Sequence, residues 1–234
     1  MKTIICNHKM YLTYDEAKRL KEEMSLIDLS NIELILCPSY LNFNIFKDYK
    51  LGSQDSFYID KGPYTAEVSS YDLSLRGIKY SIVGHKDRRK YDDDKVINLK
   101  IKSLLKNSMT PILCIGESKL DKELMRTPEV LKKQLEKALN GICLEEYQTI
   151  YIAYEPSYLI GLDNALSVDK IIDTLDYIKK IVDFIGIKNY KLLYGGAVNS
   201  SNIKELLSDK IDGYLLGKSS VDINELEKII KCIK

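Results

Sequence analysis

The residues of this chain able to do acid–base chemistry stand at the ends of apolar runs. Glu155 closes the run Ile150-Tyr-Ile-Ala-Tyr154, and Pro156 stops it directly afterwards. A continuous apolar run of that length, bounded by proline, reads as a buried parallel strand. The carboxylate then emerges at the carboxyl end of the strand, where α/β folds bind their ligands, and a glutamate there can serve as a general base. His85 follows Tyr80-Ser-Ile-Val-Gly84 and leads into Lys86-Asp87-Arg88-Arg89. Asn7 and Lys9 flank His8 after Thr3-Ile-Ile-Cys6. Gly116 and Glu117 follow Cys114-Ile115, Gly195-Gly196 follow Lys191-Leu-Leu-Tyr194, and Gly217 follows Gly213-Tyr-Leu-Leu216. An acid, an imidazole and an ammonium converging with glycine-bearing turns make a proton-transfer site beside an anion cradle, because glycine amides approach a phosphate with no Cβ in the way. Taken singly, each has an ordinary reading: a solvated lysine, a histidine capping the next helix, a plain αβ turn. The conjunction is what points to function.

That conjunction needs elements to place it. Apolar runs of strand length recur, each followed by a stretch of helical period. Thr3–Asn7 precedes a helix capped at Thr13 and running over Tyr14–Met24; Ile32–Cys37 precedes a short helix from Tyr40. Lys50–Gln54 opens into a long loop, Asp55–Ser69, and a short helix to Arg76. Tyr80–Gly84 precedes Asp94–Asn107, and Thr110–Gly116 precedes Glu129–Leu139. The strand carrying Glu155 precedes Val168–Ile185, Lys191–Tyr194 precedes Asn199–Leu207, and Gly213–Gly217 precedes Asp222–Lys231. Eight β-then-α units, with right-handed crossovers, predict a closed (β/α)8 barrel. A doubly wound sheet is the alternative, but it calls for a glycine-rich turn after the first strand, and Asn7-His8-Lys9-Met10 has no glycine. No linker or composition shift divides the chain, so residues 1–234 are expected to form one α/β domain.

Composition narrows the partners. The 35 basic residues balance 34 acidic ones to a net charge of +1, so no field draws the chain to nucleic acid or anionic lipid. No apolar run approaches the ~20 residues of a membrane span, and Met1-Lys-Thr-Ile-Ile5 lacks a signal sequence. The cysteines, Cys6, Cys37, Cys114, Cys143 and Cys232, are odd in number and form no Cys-x-x-Cys pair. They read as reduced thiols of a cytoplasmic protein. With only His8 and His85 as histidines, no zinc site is expected.

At the strand ends the residues resemble a known family. Asn7-His-Lys-Met10, Gly84-His-Lys-Asp-Arg-Arg89, Cys114-Ile-Gly-Glu117, Ala153-Tyr-Glu-Pro156, Tyr194-Gly-Gly196 and Asp212-Gly-Tyr-Leu-Leu-Gly217 are similar to triosephosphate isomerase, in the same order and at matching spacing across essentially the whole chain. The resemblance implies an aldose–ketose isomerase of glycolysis and gluconeogenesis that needs no cofactor and acts on glyceraldehyde 3-phosphate and dihydroxyacetone phosphate. It implies Glu155 as the base and His85 as a neutral electrophile, a division of labour for which that family is itself the standard worked example. It further implies Lys9 and Asn7 as the ammonium and the orienting group, with Asp87 paired to Lys9 and Cys114 in support. Gly161, Ala197, Gly217 and Lys218 fall at the phosphate, and Pro156–Leu166 forms a lid. Gln54 and Thr65–Glu67 fall in the loop through which the family forms homodimers, and Phe57, Tyr58, Ile59 and Tyr64 give that loop the apolar surface a partner would cover.

Several positions depart from the family. His8 stands where a tryptophan is usual, Lys86 replaces a serine, and Asp87 replaces a glutamate. The lid reads Ser157-Tyr-Leu-Ile-Gly-Leu-Asp163-Asn164; Ala197 replaces a serine and Lys218 a glycine. The proton-transfer residues are intact, whereas the phosphate grip and the lid's hydroxyl latch are altered. Weaker phosphate binding and an often-open lid are expected from this. Two other readings remain open: the same chemistry on a related sugar phosphate, such as a four-carbon ketose phosphate, and a catalytically weak paralogue kept for a binding role.

Overall fold

The apolar runs do form strands, and the strands close on themselves. In the computed structural model, which describes all 234 residues, eight parallel strands pair in chain order into a closed barrel: β1 (Lys2–Asn7), β2 (Ile32–Cys37), β3 (Lys50–Ser53), β4 (Tyr80–Val83), β5 (Thr110–Ile115), β6 (Ile150–Tyr154), β7 (Tyr190–Tyr194) and β8 (Gly213–Leu216). Closure comes from β1 against β8, in the register Thr3↔Gly213 to Cys6↔Leu216. The crossovers carry α1 (Tyr14–Met24), α2 (Ser70–Leu75), α3 (Asp94–Lys106), α4 (Lys119–Glu123), α5 (Thr127–Ala138), α6 (Val168–Ile185) and α7 (Ile223–Ile233). The expected (β/α)8 architecture is what the chain adopts.

Local chemistry explains the helix ends. Thr13 caps α1 through a capping box with Glu16, each side chain bonding the other's backbone N–H. Asp93 caps α3 by accepting from Lys95 N and Val96 N, and Gly186 ends α6 in the left-handed conformation. Two expectations differ from the structure. The segment Asn199–Leu207 forms consecutive hydrogen-bonded turns, not a helix. Asn199 Oδ1 there accepts from Ser201 N and Asn202 N, and Asn202 Oδ1 accepts from Asn199 N, so side chains take the bonds a first helical turn would need. The segment from Tyr40 gives only a 3₁₀ turn, Tyr40–Asn42.

Alternation along each strand splits the core in two. Ile4 and Cys6 of β1, with Ile152 and Tyr154 of β6, face the helices in a layer of 45 buried residues. Ile5, Tyr151 and Ala153 face inward with Ile35, Cys37, Ile82, Ile112, Cys114, Leu193 and Leu215 to fill the barrel. Two steps beyond these interior residues lie Asn7, Gly84, Gly116, Glu155, Gly195 and Gly217, which places them in the layer above, at the carboxyl-end mouth. At the opposite end Glu33 plugs the barrel, accepting from Thr3 Oγ1, Lys50 Nζ, Tyr151 OH and Lys191 Nζ. Burial pushes the Glu33 carboxyl up, but the bonds from Lys191, Lys50 and Thr3 outweigh it and hold the group down to about 2.

The mouth is braced by a charge cluster at the root of the 55–69 loop. Lys100 of α3, with its side chain 3% exposed, donates to Asp55 at 2.7 and 3.0 Å and to Asp92 at 2.6 Å; Arg88 pairs with Asp55 at 2.8 Å. Removing the one buried cation leaves two carboxylates sharing a partly exposed arginine. Lys100→Met is therefore expected to lower unfolding free energy by about 3 kcal/mol or more in denaturant titration. A loss below ~1 kcal/mol would show that Arg88 alone satisfies both acids.

Candidate active site

Eight of the ten residues singled out from the sequence line one cavity of about 380 Å³ at the mouth: Asn7, Lys9, His85, Glu155, Gly161, Ala197, Gly217 and Lys218. The other two stand directly behind it, Asp87 against Lys9 and His85 and Cys114 against Glu155.

Glu155 is placed by the pleat. Its N–H donates to Ile115 O at 2.8 Å, continuing the β5–β6 pairing past the end of the strand, and the alternation that turns Tyr151 and Ala153 inward turns its side chain inward too. Two glycines make room. A Cβ at Gly195 would lie 2.7 Å from Glu155 Cγ, and one at Gly116 would lie 1.9 Å from Glu155 O, inside the van der Waals limit in both cases. The carboxylate is buried, and its Oε2 has no hydrogen-bond partner. Cys114 lies against it; burial first, and the neighbouring carboxylate second, push that thiol well above its ordinary range, so it remains protonated.

His85 faces the same space. Its Nδ1 accepts from Asp87 N at 3.1 Å. An imidazole nitrogen that accepts carries no proton, so in the neutral ring the proton is on Nε2. Nε2 is buried without a partner and lies 3.9 Å from Glu155 Oε1. A buried acceptor and a buried donor, both unused, thus stand side by side at the cavity wall. Leaving such groups unpaired is costly, and a substrate with a carbonyl and an adjacent C–H would occupy both.

Lys9 completes the set in a strained conformation. Its φ is +47°, in the left-handed region that costs a non-glycine residue on the order of 1 kcal/mol or more. The strain is held from both sides: Lys9 N donates to Asn7 Oδ1 at 3.2 Å, and Gln54 Nε2 donates to Lys9 O at 2.8 Å and Cys37 O at 3.0 Å. The ammonium reaches Asp87 Oδ2 at 3.0 Å. Partial burial raises the Asp87 carboxyl, but the bond from Lys9 and the neighbouring His85, Lys9 and Lys86 outweigh it, and the group sits below its ordinary value. The aspartate, although one methylene shorter than the usual glutamate, does reach the lysine.

With this geometry in place, the family model described as triosephosphate isomerase matches residues 2–233. The chain belongs to the triosephosphate isomerase family. The curated triosephosphate isomerase of Dehalococcoides mccartyi is 36% identical over 241 residues, covering 96% of this chain and 93% of that protein. That of Dictyoglomus thermophilum is 35% identical over 247 residues, covering 98% of each, and that of Clostridium perfringens is 32% identical over 238 residues, covering 96% of each. These relatives span nearly the whole chain, so the family's barrel and its isomerase class apply throughout.

Sequence reasoning missed other parts of the site. Tyr11, Ser219, Asp222 and Glu225 also line the cavity. Lys86, read only as a substitution, donates from Nζ to Ser157 O at 2.9 Å, at the start of the lid. His8, between Asn7 and Lys9, is 1% exposed, stacks edge-on against Phe46 at 5.3 Å, and finds no partner for either nitrogen. A chance signal existed for it: a polar residue on the outward side of a strand end, where a tryptophan is usual, must go into the same apolar hole.

Burial pushes the His8 imidazole from 6.5 down to about 4. The unfolded chain then takes up a proton near pH 6.5, while the folded chain resists until near pH 4. Stability is therefore lost as pH falls through that window, by on the order of 3 kcal/mol from this group. Comparing denaturation midpoints at pH 7.5 and 4.5, His8→Phe should show a smaller acid loss than the native chain. Equal losses in the two proteins would mean that His8 is not the acid-sensitive group.

Proposed function

We propose that this enzyme interconverts D-glyceraldehyde 3-phosphate and dihydroxyacetone phosphate through an enediolate. The observation that carries the reading is the unpartnered, buried pair formed by the Glu155 carboxylate and His85 Nε2–H, 3.9 Å apart, with the Lys9 ammonium on the same cavity. Glu155 removes the proton from the carbon beside the carbonyl. The C–H electron pair moves into the carbon–carbon bond, and the carbonyl oxygen takes up the displaced charge while His85 Nε2–H donates to it. Lys9 stabilises the developing negative charge, and Asn7 orients it. The hydroxyl proton of the enediolate passes to the other oxygen, with His85 Nε2 beside both to relay it, and return of the first proton from Glu155 to the neighbouring carbon then gives the isomer. Gly161, Ala197, Gly217 and Lys218 hold the phosphate, the first three through backbone N–H groups, and Lys218 adds a side-chain cation absent from the usual glycine.

Tyr11, Asp222 and Glu225 also line the cavity, polar groups beyond those the triose reading uses, which supports a four-carbon ketose phosphate as the second reading. A coupled assay comparing both classes of substrate decides between them. Glu155→Gln should lower turnover by about 10³-fold, within the range of a lost general base, and leave phosphate-analogue binding nearly unchanged. Glu155→Asp, which retracts the carboxylate, should cost ~10²-fold. Native turnover in Glu155→Gln would place the base elsewhere.

We further infer a homodimer built through the 55–69 loop. Phe57 packs against Tyr58 and Tyr64 with ring centroids at 4.7 and 4.9 Å, so the loop is a preformed projection. Across the same end of the barrel Met10 is 94% and Leu41 90% exposed, an apolar surface a second copy would cover. Sedimentation should give a dimer, and Tyr64→Lys should shift it toward monomer with lower activity; a fully active native monomer at micromolar concentration would overturn this. The core layer draws on residues from Ile4 to Ile230, which supports residues 1–234 as one folding unit. No helix is long and apolar enough to cross a membrane. The five unpaired cysteines, three of them buried, favour a cytoplasmic setting.

A further inference from the structure

Residues 156–166 cross the cavity, where Ile160 to Asp163 line it. The segment is attached at its start, middle and end, and Ser157 N–H and Oγ both donate to Glu117 O at 3.0 and 2.9 Å. At its start Ser157 O accepts from Lys86 Nζ, and at its end Leu166 N donates to Tyr194 OH at 3.2 Å. Between them, Asp163 O accepts from Asn199 Nδ2 at 2.8 Å, with Asn202 Nδ2 3.3 Å from the same oxygen. The two amides are already aimed. Their oxygens are occupied by backbone N–H groups of their own turn, which leaves the NH₂ groups facing outward. Asn202 Nδ2 also donates to Ala197 O at 2.7 Å, holding a residue whose φ is +55°. A donor so fixed loses little rotamer entropy when it makes its bond.

We infer that Asn199 and Asn202 are lid-positioning residues: they clasp the lid through the main-chain carbonyl of Asp163 and do the work of the hydroxyl that Ala197 lacks. This deepens the isomerase reading and rests on it for its catalytic consequence. The clasp grips backbone, so it tolerates aspartate at 163, and it joins the lid to the same turn that presents the Ala197 N–H to phosphate. While the lid is down, the enediolate is shielded. If it lifts early, the enediolate electron pair can expel the phosphate: the carbon–oxygen bond breaks, inorganic phosphate leaves with its electrons, and the remaining enol tautomerises to methylglyoxal.

The test uses Asn199→Asp, which keeps the acceptor for Ser201 N and Asn202 N and removes the donor. Asn199→Ser does the same without adding charge. Both should fold with native melting temperature. Each should raise inorganic phosphate release relative to isomerisation about fivefold, the shift in closed population that one lost hydrogen bond gives, and weaken 2-phosphoglycolate binding by a similar factor. Adding Asn202→Asp should enlarge both effects. Hydrogen exchange of amides 160–166 in the unliganded proteins reads the clasp without catalysis, and should be faster in the variants. Native exchange together with native phosphate release in the double variant would overturn the clasp. Faster exchange in a chain that isomerises neither triose phosphate would instead sustain the clasp and overturn the isomerase reading.

Discussion

The constraint on which the rest depends is that the inner face of a closed parallel barrel admits one residue in two from each strand, in layers. Below the mouth those positions are filled by apolar side chains such as Ile5, Ile82 and Leu215. In the next layer up, four of the positions are glycine, and Glu155 is the one large side chain turned into the space they leave. A carboxylate there gives up most of its water and receives no hydrogen bond at Oε2 in return. Such a group persists only where the surrounding structure has no freedom to relieve it. Here the paired backbone of Glu155, its N–H bonded to Ile115 O, fixes where the side chain points, and Gly116 and Gly195 leave it the room, since a Cβ at either would collide with the glutamate itself.

The same logic explains why strain and charge gather beside it. Lys9 occupies a backbone conformation unfavourable to lysine, and Asn7 and Gln54 hold its N–H and its carbonyl. In return the ammonium is directed to Asp87, whose own N–H fixes the tautomer of His85. His85 and Lys9 are thus coupled by hydrogen bonds through Asp87, and no direct ion pair joins Lys9 to Glu155. The Glu33 plug stands at the far end of the barrel, where every acceptor site is used. One end of the barrel satisfies its polar groups and the other leaves them open, which is the physical difference between a stabilising carboxylate and a reactive one.

Much of this was legible in the residues. Strand ends were marked by apolar runs broken at Pro156, Gly84 or Gly195, and position relative to the strand end was enough to bring Asn7, Lys9, His85 and Glu155 together. The start of α1 at Thr13 followed from capping chemistry. What was not legible depended on side chains reaching across the sequence. The segment after Gly196 has helical spacing of apolar residues, Val198, Ile203 and Leu206, but its asparagines bond locally and break the helix into turns. The burial of His8 depends on Phe46, and the path of Lys86 to the lid spans 71 residues. Loss of the hydroxyl at Ala197 was visible; the amides that stand in for it were not, because Asn199 and Asn202 find Asp163 only once the lid lies across the cavity.

The mouth therefore divides into a braced half and a movable half, and the chemistry divides with it. Lys9 is held by Asn7 and Gln54, and the segment that follows His85 is held by the Arg88–Asp55 pair beside the buried Lys100–Asp55–Asp92 cluster. Proton transfer needs reacting atoms held to fractions of an ångström, and these are the attachments able to do that. Gly161, Ala197, Gly217 and Lys218 come from the lid and from the turns after β7 and β8, where single bonds from the Asn199 and Asn202 amides and to the Tyr194 hydroxyl hold the lid. The departures from the family fall on both halves, at His8, Lys86 and Asp87 on one and at Asp163, Ala197 and Lys218 on the other, while Asn7, Lys9, His85 and Glu155 are unchanged. Glu155 sits where the halves meet, its amide paired to β5 and the lid segment beginning at the next residue, so the strand that fixes the carboxylate also anchors the start of the lid.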